Sequence, residues 1–246
     1  MFPPFLIIIY KAFTYFLNLF TWIIFVIRSI RKKEEWKRSK ERFGIVDIDN
    51  KADSYIWLHA ASVGELLSIR PLVQKLLNEN YDIFITTTTV SSANLFKKVF
   101  PNSVKHQYIP YDTPIYTNRF LNRLNVELAI FVESEIWPNF IMECKKRKIP
   151  LLLINTRFSD KSFQYWGYAK KSLIYLLDSF KFISSQNTKT HNWLKKLGYE
   201  NIKFLGNIKH DAEKLEINND KLEALKKTIS DKKIILAAST HHGEEE

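Results

Sequence analysis

The sequence predicts an α/β protein with a parallel sheet, preceded by a helix that spans a membrane. Beyond residue 50, short apolar runs alternate with segments of helical periodicity, which is typical of a parallel sheet covered by helices on both faces. Residues 5–27 contain a single charge, that of Lys11. The 246 residues are 46% hydrophobic with only 6 Gly and 8 Pro, which excludes disordered, collagen-like and low-complexity chains.

The N-terminal apolar run reads FLIIIYKAFTYFLNLFTWIIFVI. A helix of this length spans about 30 Å of hydrocarbon, and Lys11 is close enough to its start to reach the interface. The run lacks the basic start and the small-residue cleavage site of a signal peptide. We therefore predict that residues 1–27 form an uncleaved membrane anchor. The alternative is an apolar helix that lies along the membrane surface or in a groove of the protein.

A basic segment follows the anchor. Residues 28–42 hold eight Lys/Arg and three Glu, close to half of the chain's net charge of +11. Basic residues that flank a span stay in the cytoplasm, so we expect residues 28–50 to be a juxtamembrane linker and the body to be cytoplasmic. The linker would either bind anionic lipid or simply be solvated. A nucleic-acid partner is disfavoured because no recognised binding motif is present.

The sequence contains a single cysteine, Cys144, which excludes a fold held together by disulfide bonds.

The body contains seven candidate strands and six candidate helices. The strands are predicted at Tyr55–Ala60, Asp82–Thr87, Lys105–Ile109, Leu128–Val132, Leu151–Ile154, Phe180–Ser184 and Lys203–Leu205. The helices are predicted at Glu65–Asn78, Ser92–Phe100, Pro114–Leu124, Ile136–Arg147, Tyr168–Ser179 and Thr188–Leu197. Pro71 lies inside the first of these helices, which should kink or start later. Ligands of such folds bind beyond the carboxyl ends of the strands, so the turns there are the places to look for chemistry.

A second unit begins late in the chain. We predict a helix at about Asp220–Ile229 and a buried strand at Lys233–Ala238, the opening of another domain that cannot bury a core alone.

Two patterns that resemble metal sites are discounted. Asp47-Ile-Asp49 lies in the linker, and the spacing of His241-His242-Gly-Glu-Glu-Glu matches no zinc site, so no metal is expected. The glycine motifs of ATP and dinucleotide sites are absent as well.

The turn after the first predicted strand reads His59-Ala-Ala-Ser62-Val-Gly64-Glu65. Glu65 would lie at the mouth of the sheet and could act as a general base, while Gly64 lets a ligand approach the backbone. Ser62 and Glu65 also have the spacing of a capping box, which explains them without any function. A base at a helix N-terminus would need burial or a neighbouring acid to raise its pKa.

Three other turns carry charged candidates. Glu133 and Glu135 follow a strand and share one face in extended geometry, although Glu135 would equally suit the first turn of a helix. Arg157 and Lys161 could hold an anionic sugar or phosphate, or belong to a solvated loop in which Ser159 caps a helix. Lys209 lies at the junction of the two units, in a cleft or in an ordinary linker.

Seven segments, taken in order, resemble the 3-deoxy-D-manno-octulosonic acid (Kdo) transferases of Gram-negative bacteria. They are Glu41-Arg-Phe-Gly44, HAASVGE at 59–65, YIPYD at 108–112, ESEIWPN at 133–139, NTRFSDKS at 155–162, GNIKHD at 206–211 and ASTHHGEEE at 238–246. The resemblance implies the two-domain GT-B fold, with residues 51–208 as a Rossmann-like acceptor domain and residues 209–246 as the truncated start of the nucleotide-sugar domain.

The resemblance also implies an activity. Members of the family transfer Kdo from CMP-Kdo to the lipid A precursor (lipid IVA) in lipopolysaccharide core biosynthesis, with inversion, without a cofactor or a metal, at the inner membrane. It implies that Glu65 is the base, that Glu135 and Lys209 stabilise the transition state, and that a basic acceptor face suits a phosphorylated lipid. Ser62, Gly64, Arg157 and Lys161 are the candidates for binding substrate.

In the family a CMP-binding half follows the position of Glu246, so we expect this chain alone to have negligible transferase activity. Two alternatives stay open. The chain could be a non-catalytic remnant that binds lipid or membrane, or it could belong to a GT-B transferase with another donor.

Overall fold

A computed structural model describes residues 3–47 and 52–211, and in the C-terminal stretch residues 218–230, 232–234, 236–238, 240 and 243. The chain divides into two compact units, Met1–Ala212 and Glu213–Glu246. The first unit holds the sheet and every candidate site residue.

The sheet of the first unit has seven parallel strands. They are β1 (Tyr55–His59), β2 (Ile83–Thr87), β3 (Lys105–Tyr108), β4 (Val126–Val132), β5 (Leu151–Thr156), β6 (Phe182–Ser185) and β7 (Lys203–Phe204). Their order is β3-β2-β1-β4-β5-β6-β7, so the direction of winding reverses between β1 and β4. All seven predicted strands are confirmed to within two residues at each end, and the Rossmann-like class is confirmed with them.

Short helices connect the strands. They are α4 (Val63–Ser68), α5 (Arg70–Asn78), α6 (Val90–Val99), α7 (Pro114–Arg123), α8 (Pro138–Lys146), α9 (Asp160–Tyr168), α10 (Lys170–Leu177) and α11 (Thr188–Lys196). Several begin at a side-chain cap: Ser62, Thr89, Thr113, Ser159 and Asn187 each accept from the backbone N–H three residues on.

Two predicted helices are divided. The helix expected over Glu65–Asn78 breaks at Ile69, because Pro71 can occupy only the first turn of the helix that follows. The helix expected over Tyr168–Ser179 is divided at Ala169: Tyr168 is the last residue of α9, and the rest is α10, which ends at Leu177. The stretch before Tyr168 was expected as a basic loop in which Ser159 could cap a helix, and it contains α9. There the Ser159 cap starts a helix whose apolar face packs through Phe163 on Trp193.

Apolar side chains cover both faces of the sheet. On one face Trp57 packs against Phe120, Phe131 and Phe140, with ring centroids 5.1–5.2 Å apart. The other face carries a second buried cluster of Ile, Leu and Val side chains. Burial on both faces explains why the strands are nearly continuous apolar runs in the sequence.

The N-terminal segment consists of α1 (Phe5–Leu17), a 3-10 turn (Asn18–Phe20) and α2 (Thr21–Ile30). By length and composition, Phe5–Ile30 could cross a membrane. The segment also packs on the sheet domain, where Ile7 and Phe25 are buried.

The basic segment is not a free linker. It contains a 3-10 turn at Trp36–Arg38 and a short helix α3 (Ser39–Arg42), and Arg42 is only 3% exposed. The Arg42 guanidinium pairs with Glu34 at 2.8 Å and donates to the backbone oxygens of Ile109 and Thr88. Burial of a guanidinium is costly unless it is paired and hydrogen-bonded, and both conditions are met here. The expectation of a solvated or lipid-bound linker is therefore wrong for this residue.

The second unit contains the predicted helix, as α12 (Asn219–Ile229). The predicted strand at Lys233–Ala238 is not confirmed: its described residues form no strand, and Ile234 and Leu236 are 61% and 85% exposed. A strand requires a neighbour to bond its backbone, and no described residue pairs with this one. Asp47 is exposed, while Asp49, His241 and His242 lie outside the described residues.

Replacement of Gly44 by Ala should destabilise the fold. Gly44 has φ +74°, and a Cβ there would lie 2.4 Å from the backbone oxygen of Tyr116. We expect Gly44→Ala to lower the free energy of unfolding by about 2 kcal/mol or more. Gly167→Ala is the matched control, because Gly167 lies in α9 with no atom within 4 Å of a Cβ and should gain up to about 1 kcal/mol. Urea unfolding followed by circular dichroism measures both, and equal effects would contradict the prediction.

Candidate active site at the carboxyl edge of the sheet

The candidate residues gather where β1 and β4 end. These two strands are neighbours and mark the point at which the winding of the sheet reverses. In folds of this class the connections leave two such strands in different directions, and ligands bind in the crevice between them. The motifs that begin at His59 and at Glu133 both lie at this crevice.

Glu65 lies in the first turn of α4 and is 7% exposed. Its Oε1 accepts from the Ser62 hydroxyl and its Oε2 from the backbone N–H of Ala61, both at 2.8 Å. The Ser62 Oγ in turn accepts from the Glu65 N–H at 3.3 Å. The Ser62 half of the predicted capping box is therefore present, whereas the Glu65 carboxylate bonds the Ala61 N–H and the Ser62 hydroxyl. These bonds fix the carboxylate at the mouth of the sheet and leave a catalytic role open.

The pKa of Glu65 is raised above its ordinary value. Burial is the largest cause, and the negative charges of Glu135 and Glu133 add to it. The hydrogen bonds from Ser62 and Ala61 oppose the rise because they favour the ionised form. This is the environment that the sequence analysis required for a base at this position.

Glu135 has the opposite shift. Burial alone would raise its pKa, but contacts with His59 and Trp137 outweigh burial and hold the pKa below its usual range. The Trp137 indole N–H donates to Oε2 at 2.6 Å, and the His59 Nε2 lies 3.4 Å from the same oxygen. The other ring nitrogen of His59 lies 2.9 Å from the Thr86 hydroxyl on β2. Glu135 is thus an ionised carboxylate in a polar setting.

Glu133 faces a different partner. Its Oε1 accepts from the Lys209 ammonium at 2.8 Å. The strand ends at Val132, and Glu133 has φ +59°, so Glu133 and Glu135 do not share the extended geometry that the sequence suggested. The left-handed backbone turns the chain out of the strand. The expectation of two carboxylates on one face is wrong for this reason.

Lys209 reaches across from a 3-10 turn, Ile208–Asp211. The closest atom to a Cβ built on Gly64 would be the Lys209 Nζ, at 3.9 Å. The ammonium therefore lies over the glycine of the first motif while it pairs with Glu133. Gly64, Glu133 and Lys209 are distant in the sequence and lie close together here, as expected for a functional site.

Asn155 supports this turn and was missed in the sequence analysis. It is fully buried, has φ +57°, and its Oδ1 accepts from the Ile208 N–H at 3.2 Å. Its own N–H donates to the Ser184 hydroxyl on β6. A polar residue at the end of an otherwise apolar strand was the available signal. His59, the partner of Glu135, was likewise quoted only as part of a motif.

Arg157 and Lys161 are exposed beyond β5, without a described contact to the residues around Glu65. Ser159 caps α9 through the N–H of Ser162 at 3.2 Å, as predicted. Ser62 and Gly64 belong to the site, whereas Arg157 and Lys161 lie at the same edge of the sheet as a separate basic surface. Within the described residues, no group of three or more His, Cys, Asp or Glu side chains could hold a metal ion.

Comparison with known proteins identifies the family of this chain. Residues 37–212 match the family described as 3-deoxy-D-manno-octulosonic-acid transferase (kdotransferase). A protein named 3-deoxy-D-manno-octulosonic acid transferase from Rickettsia bellii is 37% identical over 92% of this chain and 54% of its own. The protein of that name from Rickettsia felis is 38% identical, over 79% and 42%. That from Haemophilus influenzae is 34% identical, over 89% and 52%. The chain spans about half the length of the curated relatives it matches.

The opposite pKa shifts of the two carboxyls can be measured directly. We expect carbon-13 NMR titration to give Glu65 a pKa above that of a free glutamate. Glu135→Gln should lower this pKa, because it removes a negative charge that favours the protonated form. The exposed Glu79 offers a control, since Glu79→Gln should leave the titration of Glu65 unchanged. A Glu65 that titrates at or below the ordinary value would contradict the assignment.

Proposed function

The chain belongs to the 3-deoxy-D-manno-octulosonic acid transferase family, and on that premise we propose that it forms the acceptor-binding part of an enzyme that transfers Kdo from CMP-Kdo to the lipid A precursor. Membership of this family supports a role in glycosyl transfer. The donor, the acceptor and the roles of single residues are the proposal, and the observation that carries it is a buried Glu65 with a raised pKa at the crevice between β1 and β4.

Glu65 is proposed as the general base. An acceptor hydroxyl of the lipid attacks the anomeric carbon of Kdo, the bond from that carbon to the phosphate oxygen of CMP breaks, and the hydroxyl proton passes to a carboxylate oxygen of Glu65. The products are the Kdo–lipid linkage and CMP. A raised pKa makes a carboxylate a better proton acceptor.

Lys209 and Glu135 are proposed to stabilise the transition state. Negative charge develops on the departing phosphate and is present on the Kdo carboxylate, so an ammonium beside the base is favourable there. The Lys209 ammonium is half-exposed and thus accessible to a substrate. The pKa of Glu135 is lowered and its carboxylate lies against His59, so Glu135 would present a negative charge to the positively charged carbon of the reacting sugar.

The binding residues are proposed in two groups. Ser62 and Gly64 border the base, and the absence of a side chain at Gly64 leaves room for the acceptor beside the backbone. The exposed Arg157 and Lys161 would bind a phosphate of the lipid, since a guanidinium and an ammonium both suit a phosphate anion. The proposed location is the cytoplasmic face of the inner membrane, where a lipid acceptor and a soluble nucleotide sugar can meet.

Transfer of labelled Kdo from CMP-Kdo to lipid IVA tests the role of Glu65. The full chain is joined to the part of the Rickettsia bellii relative that it does not match, which is proposed to supply the donor-binding half. We expect Glu65→Gln to lower the rate by about 10²–10⁴-fold, because the amide cannot accept the proton. Glu79→Gln, an exposed change of the same kind, should retain the parent rate.

The pH dependence gives a second readout. The base must be ionised, so the rate should fall as the pH drops through the raised pKa of Glu65, and Glu135→Gln should move this limb to lower pH. A Glu65→Gln protein with the parent rate would contradict the proposal. Binding of lipid IVA with no transfer by the parent would favour the non-catalytic lipid-binding alternative.

A further inference from the structure

The N-terminal apolar segment touches the sheet domain along one narrow stripe. The buried positions recur about every seven residues, at Ile7, Thr14 and Thr21, and continue through Phe25 to Ser29. This spacing keeps a single face of a helix towards its neighbour for the whole length of the segment. The contact therefore runs from the first turn of α1 to the last turn of α2.

The side of the segment that carries this stripe is also the side that hydrogen-bonds the domain. Four polar side chains on it do so: Tyr10 donates to the Asp112 carboxylate (2.9 Å), Thr14 accepts from the Asn139 amide (3.0 Å), Asn18 accepts from the Thr113 hydroxyl (3.0 Å), and Thr21 bonds the Tyr116 hydroxyl (2.8 Å). The polar side chains of an otherwise apolar run are thus matched to partners at the start of α7 and of α8.

The opposite side of the segment is apolar and uncovered. Its exposed side chains are Phe5, Leu6, Ile8, Ile9, Phe13, Tyr15, Phe16, Leu19, Phe20, Trp22, Ile23, Ile27 and Ile30. Over 26 residues this face is about 39 Å long. Continuous apolar surface of this extent is rare on a protein that is surrounded by water.

These contacts are incompatible with a helix that crosses the bilayer. If Phe5–Ile30 spanned the membrane, the matched partners on the domain would have to enter the hydrocarbon with it, or the four hydrogen bonds would have to break. The first would bury Asp112 and the charged surface of α8, which carries Lys145 and Lys146, in lipid. The second would leave the Tyr10 hydroxyl and the Asn18 amide without their partners in hydrocarbon, which is unfavourable. The Thr14 and Thr21 hydroxyls would keep the bonds that they donate to backbone oxygens of the segment itself.

We propose that the segment 5–30 lies in the plane of the membrane, with its polar stripe on the domain and its apolar face in a surface of anionic lipid. Positive charge borders this face. Arg31, Lys32 and Lys33 are exposed directly after α2. Lys11, Lys145 and Lys146 rim a cleft with an apolar lining that includes Ile8 and Met142. Ammonium and guanidinium groups beside an apolar face complement acidic headgroups above acyl chains. The inference is independent of the role of Glu65.

The side of the membrane on which each part lies gives the decisive test. Cys144 is fully buried, so single cysteines placed at the start of α1 (Pro3→Cys) and on the body (Glu79→Cys) can be labelled selectively with an impermeant maleimide. In spheroplasts and in inside-out vesicles, an in-plane segment gives labelling of both cysteines from the same side. Labelling from opposite sides would show a span and overturn the proposal.

Binding to vesicles tests the apolar face. We expect Phe13→Glu to weaken binding of the full chain to vesicles of phosphatidylcholine and phosphatidylglycerol at least about tenfold. Tyr168→Glu replaces an aromatic residue that is 92% exposed on α9 and should have no effect. Binding should also weaken at high salt and without phosphatidylglycerol. Unchanged binding of Phe13→Glu would overturn the proposal, as would a parent chain that ignores vesicles and sediments as a dimer through this face.

Discussion

Asp112 places a buried carboxylate where three parts of the molecule meet. Its oxygens accept from the backbone N–H groups of Asn139 and Phe140 at the start of α8, at 3.1 and 3.0 Å, and from the Tyr10 hydroxyl of α1. Burial raises its pKa to about 6, and the hydrogen bonds hold it from rising further. The start of α8 is thereby fixed, and with it the loop that carries Glu135 and Trp137. The apolar N-terminal segment is tied to the same point.

The site separates two carboxyl groups by environment. Glu65 receives only neutral donors and lies near other negative charges, whereas Glu135 is in contact with an imidazole and an indole N–H. The same side chain therefore has a raised pKa in one place and a lowered pKa a short distance away. This difference in pKa allows one carboxyl group to exchange a proton while the other stays negatively charged in the same crevice.

The strands were predictable because the strands of a parallel sheet that is buried on both faces are continuous apolar runs in the sequence. The capping motifs were predictable because Ser62 and Ser159 act on neighbours in the sequence. The partners in the site were not, because they depend on strand order: His59 meets Glu135 only since β4 lies beside β1. The burial of Arg42 was missed for a related reason. In the sequence, a charged residue within a basic run is expected to be solvated. Only the structure shows that Glu34 lies beside Arg42 and pairs with it.

The N-terminal segment shows a further limit of reading by hydropathy. Tyr10, Thr14, Asn18 and Thr21 do little to lower the apolar average of the run, yet they form its only hydrogen-bonded side. Length and composition record how apolar a segment is and not which side of it is apolar. The structure supplies that second fact.

Two non-glycine residues near the carboxyl ends of strands have a left-handed backbone: Glu133 directly after β4, and Asn155, the last but one residue of β5. Such residues cost of order 1–3 kcal/mol each, and glycine would adopt the same conformation more readily. Glycine at either position would, however, remove the acceptor for Lys209 or for the Ile208 N–H. The fold is thus less stable than it could be at Glu133 and Asn155, the two residues that hold the turn Ile208–Asp211 over the crevice. Selection for thermal stability alone would replace these two residues with glycine first.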